Sequence, residues 1–266
     1  MQPHLLSRRT LLLAAAGLPM AAAYAQVSDM GDAINKAGRQ RMLSQRMGKA
    51  WLALVHGIET SAAQQILDKS MALFDRQLVE LMAFANTTQI KETYHQLEAA
   101  WSGFKATLVG SAPSREHAAA MLQLNASVLA LAQQGTLQYE MVLGKPLGKL
   151  VNMAGRQRML SQRMAMYYLA EQLPVPTSNA TAEIDKARSE FTSAMAYLRQ
   201  APETNPQIQE ELVLADAQWV FFDAALKKGS TGNTHLSRSL SHVFTASENL
   251  LAVMDRVTGM YSTLKS

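Results

Sequence analysis

Arg39 with Arg41, and Arg156 with Arg158, are the residues whose types and spacing could do chemistry. A guanidinium donates two parallel hydrogen bonds to a flat edge, so arginines set close together suit a carboxylate-like or nitrate-like oxyanion. Both pairs belong to the string AGRQRMLSQRM, which stands at Ala37–Met47 and again, without a change, at Ala154–Met164. Duplicated domains keep their apolar pattern because the core demands it, while surface letters drift. Arginines, glutamines and a serine retained letter for letter mark this string as the functional site.

The charge distribution points the same way. No Asp or Glu lies between Ala33 and Ile58, where Lys36, Arg39, Arg41, Arg46 and Lys49 fall. None lies between Met141 and Ala170, which hold Lys145, Lys149, Arg156, Arg158 and Arg163. Arginines without acidic partners repel one another, and a bound anion relieves that strain. Charge focused in this way fits a small anion. Nucleic acid would need a broader basic face.

At roughly 100° per residue, Gly38, Arg41 and Gln45 share one side of a helix with Met42 beside them. Asn35 and Arg46 lie on the adjoining flank, and Leu43 and Met47 face the opposite way, toward a core. Glycine within a helix costs about 1 kcal/mol relative to alanine, so Gly38 and Gly155 imply close approach by another backbone or a ligand.

Helices must carry these side chains. Ile66, Leu67, Met71, Phe74, Leu78, Leu81 and Met82 recur at helical spacing, and no stretch alternates like a strand. Breakers at Asn86–Thr88, Gly110–Ser114, Gly144–Gly148, Pro174–Ser178, Pro202 with Pro206, and Gly229–Asn233 divide each half into four helices. The first half gives Val27–Gly57, Ala62–Ala85, Gln89–Leu108 and Ser114–Leu143; the second gives Lys149–Gln172, Ala180–Arg199, Gln207–Lys227 and Thr234–Leu264. Landmarks pair across the halves: Phe74 with Phe191, Trp101 with Trp219, Phe104 with Phe222, His117 with His235. The expected fold is all-α, either tandem four-helix up-down bundles or one eight-helix pseudo-dimer. Repeat 1 spans residues 26–143 and repeat 2 spans 144–266.

Residues 1–25 read as an export signal. Ser7-Arg8-Arg9-Thr10-Leu11-Leu12 has the twin-arginine pattern, and Ala23-Tyr24-Ala25 offers a cleavage site before Gln26. No later segment is apolar enough to span a bilayer, so the expected location is the periplasm, with no membrane span after signal removal. The chain has no cysteine, which excludes disulfides, thiol catalysis and thiolate metal sites. His56, His95, His117, His235 and His242 show no metal-ligand spacing, and Glu140 and Glu171 do not recur as paired carboxylates. There is no nucleophile elbow, phosphate loop or dinucleotide fingerprint. Trp101 and Trp219 read as core residues. No enzyme, metal or cofactor is expected.

The duplicated string resembles the signature of PilJ-type domains, the N-terminal sensing module of type IV pilus methyl-accepting chemotaxis transducers. It is also similar to the P-box of nitrate/nitrite sensor kinases, in which Asn-Lys-Ala-Gly precedes Arg-Met and a second arginine. Asn35-Lys36-Ala37-Gly38, Arg41-Met42 and Arg46 carry the likeness in the first copy, and Asn152, Ala154-Gly155, Arg158-Met159 and Arg163 in the second. In those sensors the resemblance implies a site at a dimer interface, with one arginine from each subunit gripping the anion. Carried over, Arg41 and Arg158 would grip, with Gly38 and Gly155 beside them. Arg46 and Arg163 complete the expected ligand set, and Asn35, Arg39, Gln45, Asn152, Arg156 and Gln162 form a secondary set. The extra Arg39 and Arg156, and Gln45 and Gln162 in place of an aromatic, depart from the kinase P-box and leave the anion's identity open.

Two functions follow. The first is a periplasmic sensor that binds nitrate, nitrite or another small oxyanion and relays to a membrane-bound receptor or sensor kinase. The second is an adaptor whose arginine helices dock a partner protein. A ligand site requires Arg41 and Arg158 inward and adjacent; a docking surface requires them exposed and apart.

Overall fold

The computed structural model describes residues 26–110, 112–173, 180–227 and 233–265. The export signal of residues 1–25 lies outside them, as do the breakers Pro174–Ser178 and most of Gly229–Asn233. Among the described residues there are eight helices and no strand: α1 (Met30–His56), α2 (Thr60–Phe84), α3 (Thr88–Gly110), α4 (Ala118–Leu143), α5 (Pro146–Glu171), α6 (Ala180–Gln200), α7 (Pro206–Lys227) and α8 (Asn233–Thr263).

Local chemistry sets the ends. The Asp29 side chain accepts a hydrogen bond from the Asp32 amide and caps α1. Gly57 and Gly144 take left-handed φ of 68° and 61° and close α1 and α4. Pro146 opens α5, where its missing N–H costs nothing. α4 begins four residues later than its Ser114 start signal, because the Ser114 hydroxyl bonds the His117 ring instead of a helix amide.

Glu59 is the one non-glycine among the described residues with positive φ, at 45°, just before α2. A left-handed conformation costs an L-residue with a Cβ about 1 kcal/mol. Glu59→Gly is therefore expected to raise stability by about 1 kcal/mol, read as a rise of a few degrees in melting temperature.

The helices of each repeat pack as a four-helix bundle, and the two bundles meet along α1 and α5 in the most extensive helix pair of the molecule. Ile34 lies against Gly148 and Gly48 against Met166, so α1 and α5 run parallel. α8 also reaches α1, and α4 reaches α5. The structure thus joins the two expectations: two four-helix bundles, one per repeat, packed side by side through α1 and α5.

Outer layers repeat in matching detail. Trp101 packs tilted on Phe74 at 4.2 Å, and Trp219 stacks on Phe191 at 4.4 Å. Tyr139 donates to the Leu81 carbonyl as Tyr261 does to Leu198. These tyrosines, with Thr136 and Thr258 donating to the carbonyls four residues before them, fix the register of α4 against α8. In that register His117 and His235 are not equivalent: His117 precedes α4, whereas His235 lies inside α8.

The buried seam of paired arginines

The repeated string is interior. Arg41, Ser44, Gln45, Arg158, Ser161 and Gln162 are all 0 % exposed, in a polar layer between the bundles. Part of its duplication has a packing cause. Ser44 donates to the Arg41 carbonyl at 2.8 Å and Ser161 to that of Arg158 at 2.9 Å. Gln45 then donates to the Ser44 hydroxyl and to Asn125; Gln162 donates to the Ser161 hydroxyl and to the Ser247 carbonyl. A buried hydrogen-bonded layer constrains residue identity as strictly as a ligand does.

Each central arginine crosses the seam. Arg41 Nη2 donates to the Asn152 carbonyl at 3.3 Å and to Asn152 Oδ1 at 2.7 Å. Arg158 Nη2 donates to the Asn35 carbonyl at 3.0 Å. Both guanidinium groups sit over both glycines. A Cβ on Gly38 would stand 3.1 Å from Arg41 Nη2 and 3.5 Å from Arg158 Nη2; one on Gly155 would stand 3.1 Å and 3.7 Å from Arg158 Nη2 and Arg41 Nη2. The glycines thus make room for the arginine heads, joined at Gly155 by Thr258 Cγ2 at 3.6 Å, and not for a second backbone. Nε of Arg41 and of Arg158 is buried and has no hydrogen-bond partner among the described residues.

Beyond this centre the two sides differ. Arg41 Nη1 and Arg156 Nη1 converge on Gln133 Oε1 at 2.5 and 3.1 Å. Arg158 Nη1 and Arg39 Nη2 converge on Asp255 Oδ1 at 2.5 and 2.9 Å. Gln133 and Asp255 hold equivalent places on α4 and α8, so one half has an amide where the other has a carboxylate. The neighbouring pair is exchanged too: Asn152 donates to Glu140, while Asn35 donates to the Ser262 hydroxyl.

The acid-free windows are not acid-free in space. Arg46 and Lys49 pair with Glu248, Arg163 with Glu183, Arg156 with Glu190, Lys36 with Glu80 and Asp32, and Arg39 and Arg158 with Asp255. Self-repulsion among unpartnered arginines is therefore overturned for all but Arg41, because other helices fold their carboxylates over the string. Arg41 makes no ion pair among the described residues. Its burial, aided by Arg156 and Arg158, draws its pKa down to about 9. Burial lowers that of Arg158 to about 10, with Asp255 opposing the shift.

Of the expected ligand set, Gly38, Arg41, Gly155 and Arg158 come together, joined by Asn35 and Asn152. Arg39 and Arg156 are tied in through Asp255 and Gln133. Arg46 and Arg163 are not brought to this centre; each is held outward by its glutamate. Gln45 and Gln162 lie further along the seam. Sequence reasoning missed Gln133, Asp255 and Glu248. Aligning Thr136-x-x-Tyr139 with Thr258-x-x-Tyr261 would have set Gln133 opposite Asp255.

A cleft of about 280 Å³ between α4, α5 and α6 is lined by Gln133, Arg156, Met159, Arg163, Lys186 and Glu190, among others. Gln133 thus separates this cleft from the buried Arg41. Among the described residues no cluster of His, Cys, Asp or Glu could hold a metal, and no helix is long and apolar enough to cross a membrane.

A family profile described as the N-terminal region of type IV pili methyl-accepting chemotaxis transducers, PilJ, matches residues 22–129 and 145–255. The two matched segments correspond to the two repeats. No curated protein and no solved structure matches the chain.

Proposed function

The chain belongs to the PilJ family, in two copies, and on that premise we propose that it is a non-catalytic periplasmic sensor of a small oxyanion, nitrate or nitrite first. Residues 1–25 direct its export by the twin-arginine route. The anion is gripped at the seam by the Arg41 and Arg158 region, beside Gly38 and Gly155, in the manner of the nitrate-sensor P-box.

The observation that carries this reading is the inward, adjacent placement of Arg41 and Arg158, each 0 % exposed. A partner protein cannot dock on side chains so buried, so the adaptor reading loses its surface. Arg41 bonds Asn152 of the other repeat, and Arg158 bonds Asn35. A ligand that draws on either guanidinium therefore changes contacts between the bundles. Differential affinity for two packings of α1 against α5 is what a membrane-bound receptor or sensor kinase would read.

Calorimetric titration with nitrate and nitrite tests this. Saturable binding is expected, lost by at least about 100-fold in an Arg41→Ala/Arg158→Ala double variant whose helical spectrum is intact. Absence of heat with either anion from well-folded protein sinks the nitrate reading.

A further inference from the structure

The two halves of the arginine centre obey one geometry and differ at one acceptor. On the Asp255 side, two arginine Nη atoms from opposite repeats share a carboxylate oxygen. On the Gln133 side, two arginine Nη atoms from opposite repeats share an amide oxygen. A carboxylate is the stronger acceptor for a guanidinium, since both partners are charged.

Charge counting agrees with geometry. Arg39, Arg41, Arg156 and Arg158 form the centre, faced by Asp255, Glu190 and, behind Asn152, Glu140. Four cations and three carboxylates leave one positive charge. Glu190 takes Nε and Nη2 of Arg156, leaving its Nη1 turned to Gln133. Arg41 touches only neutral acceptors: Gln133 and the two oxygens of Asn152. The place short of a negative charge is the one Gln133 occupies.

Access lies on the same side. Gln133 and Arg156 line the cleft between α4, α5 and α6, and the cleft's volume of about 280 Å³ exceeds the needs of a three- or four-atom anion.

Building on the oxyanion reading above, we infer that the site is one-sided: a single planar monoanion enters by this cleft, displaces the Gln133 amide oxygen, and bridges Arg41 and Arg156, while Asp255 fills the equivalent place between Arg158 and Arg39. Asp255 is thus a built-in copy of the ligand. Its carboxylate, which meets both arginines through the single oxygen Oδ1, sets the ligand class as a small flat oxyanion, which nitrate, nitrite, formate and acetate share. Gln133 and Arg156, rather than Arg158, become the residues that select it.

Stoichiometry and two exchanges of the acceptor test this. Titrating the protein with nitrate, nitrite, formate and acetate in turn identifies the source of the anion, and one per chain is expected for whichever binds. Gln133→Asp installs the second carboxylate and is expected to weaken binding by at least about 50-fold while raising the melting temperature. Asp255→Asn removes the built-in copy and is expected to bring binding to two anions per chain. Unchanged affinity in Gln133→Asp, or two anions per wild-type chain, overturns the one-sided site. If either of these results is found while Arg41→Met still abolishes binding, the oxyanion sensor stands and only the one-sided site falls. Binding of none of the four anions by wild type overturns both.

Discussion

Arg41→Met and Arg158→Met, one substitution made within identical local sequence, are expected to change stability by different amounts. Arg158 is wholly buried and paired to Asp255, a carboxylate that is 43 % exposed. Removing it leaves Asp255 facing Arg39 alone and the Asn35 carbonyl without its cross-seam donor. Breaking a buried pair typically costs 3–5 kcal/mol, and solvent screening of Asp255 lowers this to about 2–3 kcal/mol. Arg41 has no carboxylate in contact, so its charge is held in the interior by the dipoles of Gln133 and Asn152, with Glu140 acting only from behind Asn152. Methionine of similar length relieves that desolvation, against the loss of about 1 kcal/mol at the Asn152 side chain. The net effect expected for Arg41→Met lies within about 1 kcal/mol of zero. Urea unfolding of both variants without anion checks the pair. Equal losses would mean that the Gln133–Asp255 difference has no energetic weight.

Acid should unfold the protein through two carboxylates on α8. Burial would raise the Glu248 pKa, but Lys49 and Arg46 overcome it and hold it at about 2, against an ordinary 4.5. Asp255 is likewise held at about 2 by Arg158 and Arg39 against its burial. A carboxyl with a depressed folded pKa contributes fully above its unfolded value and loses that contribution as pH falls toward the folded one. The window for Glu248 is thus pH 4.5 down to 2. At about 1.4 kcal/mol per pKa unit Glu248 contributes about 3 kcal/mol, and Asp255, more exposed, about 1. A loss of about 4 kcal/mol is a large share of a domain's ordinary stability. Glu248→Gln is expected to start less stable at neutral pH and to show a flatter fall through this window in thermal melts. A wild-type profile flat from pH 5 to pH 2.5 would contradict the assignment.

The eight helices were legible because each is long, periodic and punctuated by glycine or proline, although α5 starts at Pro146, three residues before the expected Lys149, since proline is tolerated in a helix's first turn. The pairing of the arginines was not. A window free of acids along the chain says nothing about acids brought in from afar, and Arg46 meets Glu248 across some two hundred residues of sequence. Polar letters alone did not show that Ser44 and Gln45 are interior residues, satisfied by their own helix and by Asn125. The centre of Arg41, Arg158 and the two glycines could be read from the duplication itself. The selecting residues could not, since Gln133 and Asp255 differ, and a search for identity between the halves passes over a position whose meaning lies in its difference.

The parallel contact of α1 with α5 joins two repeats of one polypeptide. A receptor assembled from separate subunits loses its binding site when diluted, and its threshold drifts with the amount of protein made. Here the two halves are tethered, and their local concentration is set by the connecting chain. On the proposed oxyanion reading, occupancy follows the anion concentration alone, at the same threshold whether a cell holds ten copies or ten thousand.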